Sequence, residues 1–206
     1  MTMSIPSTAL RSDGRPPVAS AIAQGETPRL RYTRVAAGLH WLIGIALLGQ
    51  VAFGFLLDDL APRGTPGRAS VINLHKSLGI CLGLLVVARL LWRLGHRPPA
   101  YAASMAAWQR RSAGVVHAAL YVCMLAMPLS AYVASNFSKH GIRFFGTRFA
   151  PWGPDMPRVY DVFNGLHVAL AWLFCALVAA HVLAVLKHAL IDRDAVFWRM
   201  WPRAGR

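Results

Sequence analysis

Residues 162–186, VFNGLHVALAWLFCALVAAHVLAVL, decide the fold of this chain. They form a run of 25 residues without a charged side chain. A helix that crosses a bilayer needs about 20 apolar residues. Two further uncharged runs reach this length, at residues 35–57 and 112–138. A soluble protein would need a much longer chain to bury three such helices, so the runs predict membrane-spanning helices.

A fourth apolar run extends over about residues 71–92, although its uncharged centre, residues 77–88, is shorter. Lys76 and Arg89 border this centre, and both side chains can extend their charge to the membrane surface while their stems stay in lipid. The sequence therefore predicts an all-α fold, a bundle of four transmembrane helices. Their expected bounds are about 35–57, 71–92, 113–135 and 162–188.

The composition agrees with a membrane protein. Of the 206 residues, 56% are hydrophobic and 15% are charged, whereas soluble domains carry about 25% charged residues. The formal charge of +14 is typical of proteins that bind nucleic acid or an anionic membrane surface. Because the basic residues lie in loops and tails and form no continuous stripe, we expect the lipid bilayer as the partner and no nucleic acid.

The basic residues also predict the orientation of the bundle. Residues 11–34, 89–111 and 187–206 together carry 15 of the 22 Lys and Arg residues. Cytoplasmic loops of membrane proteins are enriched in Lys and Arg. Both termini are therefore expected in the cytoplasm, which agrees with an even number of spans.

The N-terminal segment differs from the rest of the chain. Residues 1–30 contain four prolines and show no apolar periodicity, so we expect a disordered cytoplasmic tail there. The membrane domain is expected to cover residues 31–206. Its three cysteines all fall inside predicted spans, where we expect small core residues rather than disulfides. They are Cys81, Cys123 and Cys175.

Four histidines in the predicted spans are the candidate functional residues, because an ionisable side chain inside a membrane is costly. They are His40, His75, His167 and His181. The last two are 14 residues apart, close to four helical turns, so their rings leave one helix on nearly the same face, about 21 Å apart along its axis. Depth in the membrane then pairs His40 with His181, and His75 with His167.

Haem suits two imidazoles from different helices in an apolar cleft, because its macrocycle is apolar and its iron accepts axial histidines. Zinc favours four ligands that include cysteine or carboxylate, and the predicted spans contain no Asp or Glu. The chain has no C-x-x-C-H motif, so covalent attachment is not expected. The sequence therefore predicts two non-covalent haems, with the four paired histidines as ligands of the iron atoms.

The other histidines are expected to be ordinary polar residues. His117 lies on the third predicted span without a partner at its depth, and the rest lie in loops or at an interface. The rest are His96, His140 and His188. Glycines near the paired histidines are expected mainly to serve helix packing, although they could let a flat macrocycle approach the backbone. These glycines are Gly38, Gly44, Gly79, Gly83 and Gly165.

Several stretches of this sequence carry a resemblance to a known family. They are RYTRVAAGLHWL around His40, VINLHKSLG around His75, NGLHVALAW and AAHVL at His167 and His181, and the closing DRDAVFWRMWPR. With them the chain resembles the bacterial cytochrome b561 family over about residues 31–203. The resemblance implies a four-helix protein of the bacterial inner membrane, in which the four matching histidines are the axial ligands of two b-type haems.

Ligation by two histidines leaves the iron without an open position, so we expect one-electron transfer rather than oxygen binding. Some members of the family that this chain resembles oxidise superoxide outside the membrane and pass the electron to ubiquinone. The expected outer surface carries seven Lys and Arg residues against four aspartates, which would attract a small anion such as superoxide. An interfacial belt of solvated charges and aromatic rings is the other explanation for this surface.

The favoured hypothesis is that superoxide donates the electrons and the ubiquinone pool accepts them. The protein would then be an oxidoreductase. A cytochrome b subunit that relays quinol electrons to a partner redox protein is the first alternative. A small transporter or structural bundle without cofactor is the second. Haem content distinguishes the last of these from the other two.

Overall fold

The computed structural model describes residues 31–96, 98–101 and 105–201 and contains four long helices. They are α1, Arg34–Phe55; α3, Arg68–Gly95; α4, Ala107–Asn136; and α5, Pro157–Leu190. Each is long and apolar enough to cross a membrane, so the prediction of an all-α bundle with four spanning helices is confirmed. The expected tail, residues 1–30, lies outside the described residues.

Shorter elements join the long helices or follow them. Helix α2, Leu57–Leu60, follows α1, and a single turn of 3-10 helix, Phe197–Arg199, follows α5. Strands β1, Ile142–Phe144, and β2, Thr147–Phe149, lie between α4 and α5.

The helices extend beyond most of the predicted bounds because polar residues at their ends find partners. At the start of α3, Arg68 forms an ion pair of 2.7 Å with Asp58. Helix α4 begins six residues before the predicted bound, where the backbone N–H of Ala106 donates to Gln109 Oε1 over 2.8 Å. Pro157 occupies the first turn of α5, where the missing N–H of proline removes no helical hydrogen bond.

The long helices pack as two layers. Helix α4 packs along α5, α1 packs along α3, and contacts between α3 and α4 join the two layers. Among the described residues, α1 and α5 make little or no close backbone contact with each other. The backbones of α1 and α5, the two helices that carry His40 and His181, therefore stay apart, although the rings of Phe55 and Trp172 are in contact at 4.7 Å.

A β-hairpin covers one end of the bundle and was not predicted. Its strands β1 and β2 pair in antiparallel fashion, and both turn residues, Phe145 and Gly146, have positive φ, at 42° and 103°. Two-residue hairpin turns favour this conformation. The side chain of Ser77 on α3 fixes the hairpin, because its Oγ accepts a hydrogen bond of 3.0 Å from the backbone N–H of Phe145.

The C-terminal segment, residues 192–201, folds back onto the start of α1. His188 at the end of α5 is buried, and its Nδ1 lies 2.8 Å from a carboxylate oxygen of Asp194. Farther along, Trp41 Nε1 donates a hydrogen bond of 2.9 Å to the carbonyl of Met200, and the rings of Trp41 and Trp201 are in contact at 5.8 Å. The segment thus connects α5 to α1 beside His40.

Candidate haem sites

The four predicted ligands lie in the structure as two facing pairs. The ring centroids of His40 and His181 are 6.2 Å apart, and those of His75 and His167 are 6.3 Å apart. A metal ion bound by two imidazole nitrogens at about 2 Å each separates the ring centroids by about 6 Å. Both separations fit one iron atom between the rings. Ligation of iron by these four residues stays a prediction.

His117 also lies beside His181, so the expectation that His117 has no partner at its depth is wrong. The ring centroid of His117 lies 5.4 Å from that of His181. This separation is shorter than a bridging iron atom requires, whereas the separation of His40 from His181 matches it. The sequence did not indicate this neighbour, because the rotation of α4 against α5 cannot be read from spacing within one helix.

A hydrogen bond on Nδ1 of His167 is of the kind that metal-binding histidines make. Its Nδ1 lies 2.9 Å from the carbonyl oxygen of Met127, to which an Nδ1–H donates. This bond selects the tautomer with a free lone pair on Nε2, the arrangement found for metal-binding histidines. Pro128 follows Met127 directly inside α4, and a proline interrupts the helical hydrogen-bond ladder locally.

Residues of α1 position the ring of His75. Gln50 Nε2 donates a hydrogen bond of 2.7 Å to the backbone carbonyl of His75, and the same nitrogen lies 3.2 Å from His75 Nδ1. Gly54 approaches the ring so closely that an added Cβ would lie 3.1 Å from His75 Cε1. Gln50 could have been suspected from the sequence, because it is an amide within an uncharged span.

Gly54→Ala is expected to lower haem occupancy at the predicted site of His75 and His167, because the new methyl group displaces the His75 ring. Gly49→Ala on the same helix is the matched control, since no atom lies within 4 Å of a Cβ added there. Haem content per purified chain measures the effect. Equal haem content and equal absorption spectra in both variants would contradict this role for Gly54.

His40 has a charged neighbour. Arg89 Nη1 donates a hydrogen bond of 3.1 Å to His40 Nδ1, and Arg89 Nε donates one of 3.1 Å to the hydroxyl of Tyr121. The guanidinium turns toward a predicted haem ligand, because the hydroxyl and the imidazole offer it acceptors. That Arg89 extends its charge to the membrane surface stays a prediction.

His75 and His167 line an open cavity of about 1230 Å³. All four long helices contribute to its wall, and its volume exceeds the roughly 300–1,000 Å³ of usual small-ligand pockets. Six Lys and Arg residues line it, against two aspartates. The basic residues are Arg63, Arg68, Lys76, Lys139, Arg143 and Arg148.

Several of these charges are held in place by neighbouring groups. Lys76 Nζ donates a hydrogen bond of 3.2 Å to the carbonyl of Gly141, just before β1. The hydrogen bond from Arg68 lowers the pKa of Asp58, which keeps that carboxylate ionised and partly neutralises Arg68. Arg143 and Arg148 are opposite each other in the hairpin, where like charges repel.

The glycines near the histidines divide into two groups. Gly83 packs against Pro128, 3.5 Å from an added Cβ, as expected for helix packing. An added Cβ at Gly79 would lie 3.3 Å from Gln50 Nε2. The remaining three have no atom within 4 Å of an added Cβ, so no described residue packs against them. They are Gly38, Gly44 and Gly165.

The remaining histidines and the cysteines lie apart from the paired rings. His96 stacks on Trp92 and is exposed, and His140 is exposed at the rim of the cavity. His188 differs from the expectation of an ordinary polar residue, because it is buried against Asp194. The cysteines are free, as predicted.

Comparison with known proteins agrees with this arrangement. The sequence profile described as prokaryotic cytochrome b561 matches residues 31–203. Cytochrome b561 homolog 2 of Escherichia coli strain K12 is 34% identical over 177 residues, which cover 85% of this chain and 93% of that protein. The probable superoxide oxidase CybB of Yersinia pestis is 26% identical over 181 residues, covering 84% of this chain and 97% of that protein.

Cytochrome b561 homolog 1 of Escherichia coli strain K12 is 26% identical over 173 residues, which cover 84% of this chain and 98% of that protein. The family profile spans most of the chain, including all four long helices and all four paired histidines. Haem binding, electron transport and transmembrane helices accompany this family. The chain belongs to the prokaryotic cytochrome b561 family.

Proposed function

We propose that this protein binds two b haems and transfers single electrons across the inner membrane, from superoxide to ubiquinone. His75 and His167 would hold one haem, and His40 and His181 the other. The separation of about 6 Å between the rings of each pair supports this ligand set. When bound, the haem iron supplies a one-electron redox centre that the amino acid side chains lack.

The basic lining of the cavity at His75 and His167 is the observation that carries the choice of donor. Six Lys and Arg residues and two aspartates line the same cavity as this histidine pair. A concave surface of one sign concentrates small ions of the opposite sign and raises their association rate by roughly 10–10³-fold. One relative with similarity over most of its length is named a probable superoxide oxidase, which supports the same donor.

The orientation follows from the distribution of charge along the chain. Loops and tails at the His40 end of the bundle carry most of the Lys and Arg residues, so the positive-inside rule assigns that end to the cytoplasm. The basic cavity would then face outward. Each superoxide gives up one electron and leaves as dioxygen, and two such electrons with two protons convert a quinone to a quinol.

The chain's own residues would control the geometry of this transfer. The Met127 carbonyl orients His167 through Nδ1, and Gln50 and Gly54 fix the position of His75. The near-perpendicular ring planes, at 75° and 88°, would give ferric low-spin signals with strongly anisotropic g values. With two histidines holding each iron, no position would be left open to dioxygen.

A steady superoxide flux tests this proposal on the detergent-purified, haem-loaded protein. With a water-soluble ubiquinone analogue present, we expect superoxide to disappear faster than by spontaneous dismutation, with quinol formed in a ratio of one per two superoxide molecules. Protein without quinone is the control. Protein that contains both haems but causes no quinone-dependent loss of superoxide would contradict the proposal.

A further inference from the structure

Arg89 is a charged side chain within a membrane-spanning helix that has only neutral partners. Its guanidinium bonds to His40 and to the Tyr121 hydroxyl and lies over the Tyr121 ring at 5.9 Å. Among residues 31–96, 98–101 and 105–201, no carboxylate lies within ion-pair distance of it. A charge removed from water is costly unless an opposite charge or strong hydrogen bonds compensate for it.

The hydrogen bond between Arg89 and His40 is incompatible with iron binding by His40. Arginine has donors only, so His40 Nδ1 must accept this bond. A neutral imidazole has one N–H, and when Nε2 binds a metal the N–H resides on Nδ1. Two donors would then face each other across 3.1 Å. His167 shows the compatible arrangement, because a carbonyl lies opposite its Nδ1. At His75 the nitrogen of the Gln50 amide lies 3.2 Å from Nδ1, and this amide can offer its oxygen instead by a turn about its last bond, which arginine cannot do.

We propose that Arg89 leaves His40 when haem binds and pairs instead with a carboxylate side chain of the haem held by His40 and His181. This inference rests on the proposed function. The planar guanidinium matches a carboxylate with two parallel hydrogen bonds. Tyr121 accepts from Nε, so both terminal nitrogens are available for the carboxylate while Nε stays fixed.

The surroundings of Arg89 favour an anion at this position. Arg89 lines a small pocket together with Arg31, Arg93 and His96. Arg93 lies over the same Tyr121 ring at 5.7 Å. Trp92 also lines the pocket, and its indole N–H is buried without a hydrogen-bond acceptor. Three cationic side chains and an unpaired donor around one pocket are typical of a site for an acidic group.

A positive charge next to the haem carboxylate stabilises the reduced state, which holds one more electron, so its removal lowers the reduction potential of that haem. In Arg89→Met we expect one of the two midpoint potentials to fall by at least 59 mV, which corresponds to a tenfold change in the equilibrium constant of a one-electron reaction. The other potential should stay unchanged. Redox titration of the purified protein, followed by visible spectroscopy, measures both.

Two further variants separate this role from a structural one. Arg110→Met removes an arginine of α4 that lies outside this pocket, and it is expected to shift neither potential by more than about one third as much. Arg89→Lys keeps the charge and should retain both haems with a smaller shift. If Arg89→Met loses one haem and Arg89→Lys keeps it, the proposal is supported; if both variants lose it alike, Arg89 is structural and the proposal is overturned.

The outcomes also separate this inference from the function on which it rests. A wild-type protein without haem would overturn both. A wild-type protein with two haems, together with unchanged potentials in Arg89→Met, would overturn the role of Arg89 alone. A shift seen in lipid nanodiscs but lost in delipidated protein in dodecyl maltoside would assign the anion to a lipid phosphate, which also overturns the proposal.

Discussion

A His40→Leu variant is expected to purify with one haem per chain, whereas a His117→Leu variant keeps two. Both histidines are in contact with His181, but only the ring of His40 lies at the 6.2 Å that an iron atom between two imidazoles requires. The ring of His117 is closer, at 5.4 Å. Leucine fills the space of either ring in a membrane helix, so the two variants test ligation under equal conditions. A pyridine haemochrome assay counts the haems.

The low-spin ferric signals provide a second measurement on the same samples. Loss of one haem from His40→Leu should remove one of two anisotropic signals, while His117→Leu should at most shift it. Two haems in His40→Leu together with one haem in His117→Leu would make His117 the partner of His181. In that event Arg89 would hydrogen-bond to a histidine that binds no metal. The proposal that its guanidinium moves from His40 to a haem carboxylate would then also fail.

Charge reversal at both hairpin arginines, in the double variant Arg143→Glu/Arg148→Glu, is expected to slow the reaction with superoxide by roughly 10–100-fold at low ionic strength. Both side chains line the cavity of His75 and His167, and they are opposite each other across the hairpin. Their reversal changes the sign of the local potential. The rate of quinone-dependent superoxide loss, measured at several salt concentrations, gives the effect.

Arg158→Glu is the matched control, because Arg158 lies on the same side of the bundle but does not line the cavity. It should change the rate only by the small effect of the net charge. In the double variant, the decrease of the rate with added salt should vanish or reverse, since salt screens attraction in the wild-type protein. A wild-type rate that is independent of salt would contradict electrostatic attraction at this surface.

The spans could be predicted because the bilayer imposes a length that uncharged runs reveal directly. Helices α3, α4 and α5 begin three, six and five residues before their predicted bounds, because the length of an apolar run does not show which polar residues a helix end can hold. Arg68 continues the helix because Asp58 neutralises it, and Gln109 extends α4 by satisfying a backbone N–H at its start. Such contacts join a helix end either to a residue elsewhere in the sequence, as Arg68 to Asp58, or to a side chain of the same turn, as Ala106 to Gln109. An apolar run does not reveal either kind.

The arrangement of His167 and His181 on one face could be predicted from helical geometry within α5 alone. The contacts of His117 and Arg89 could not, because they depend on how α3 and α4 are rotated relative to their neighbours. The hairpin also left no periodic signal: each strand has three residues, and its position depends on a hydrogen bond to Ser77 in another helix.

The fold-back of residues 192–201 has a consequence for the biogenesis of the protein. Helices α1 and α5 make little close backbone contact among the described residues, and at the His40 end the contact of Met200 and Trp201 with Trp41 links them. These residues follow all four long helices in the chain, so the ribosome releases them after the helices. During synthesis the contacts beside His40 therefore form only after α5 has been made, and we expect cofactor insertion at this end to follow the synthesis of all four helices.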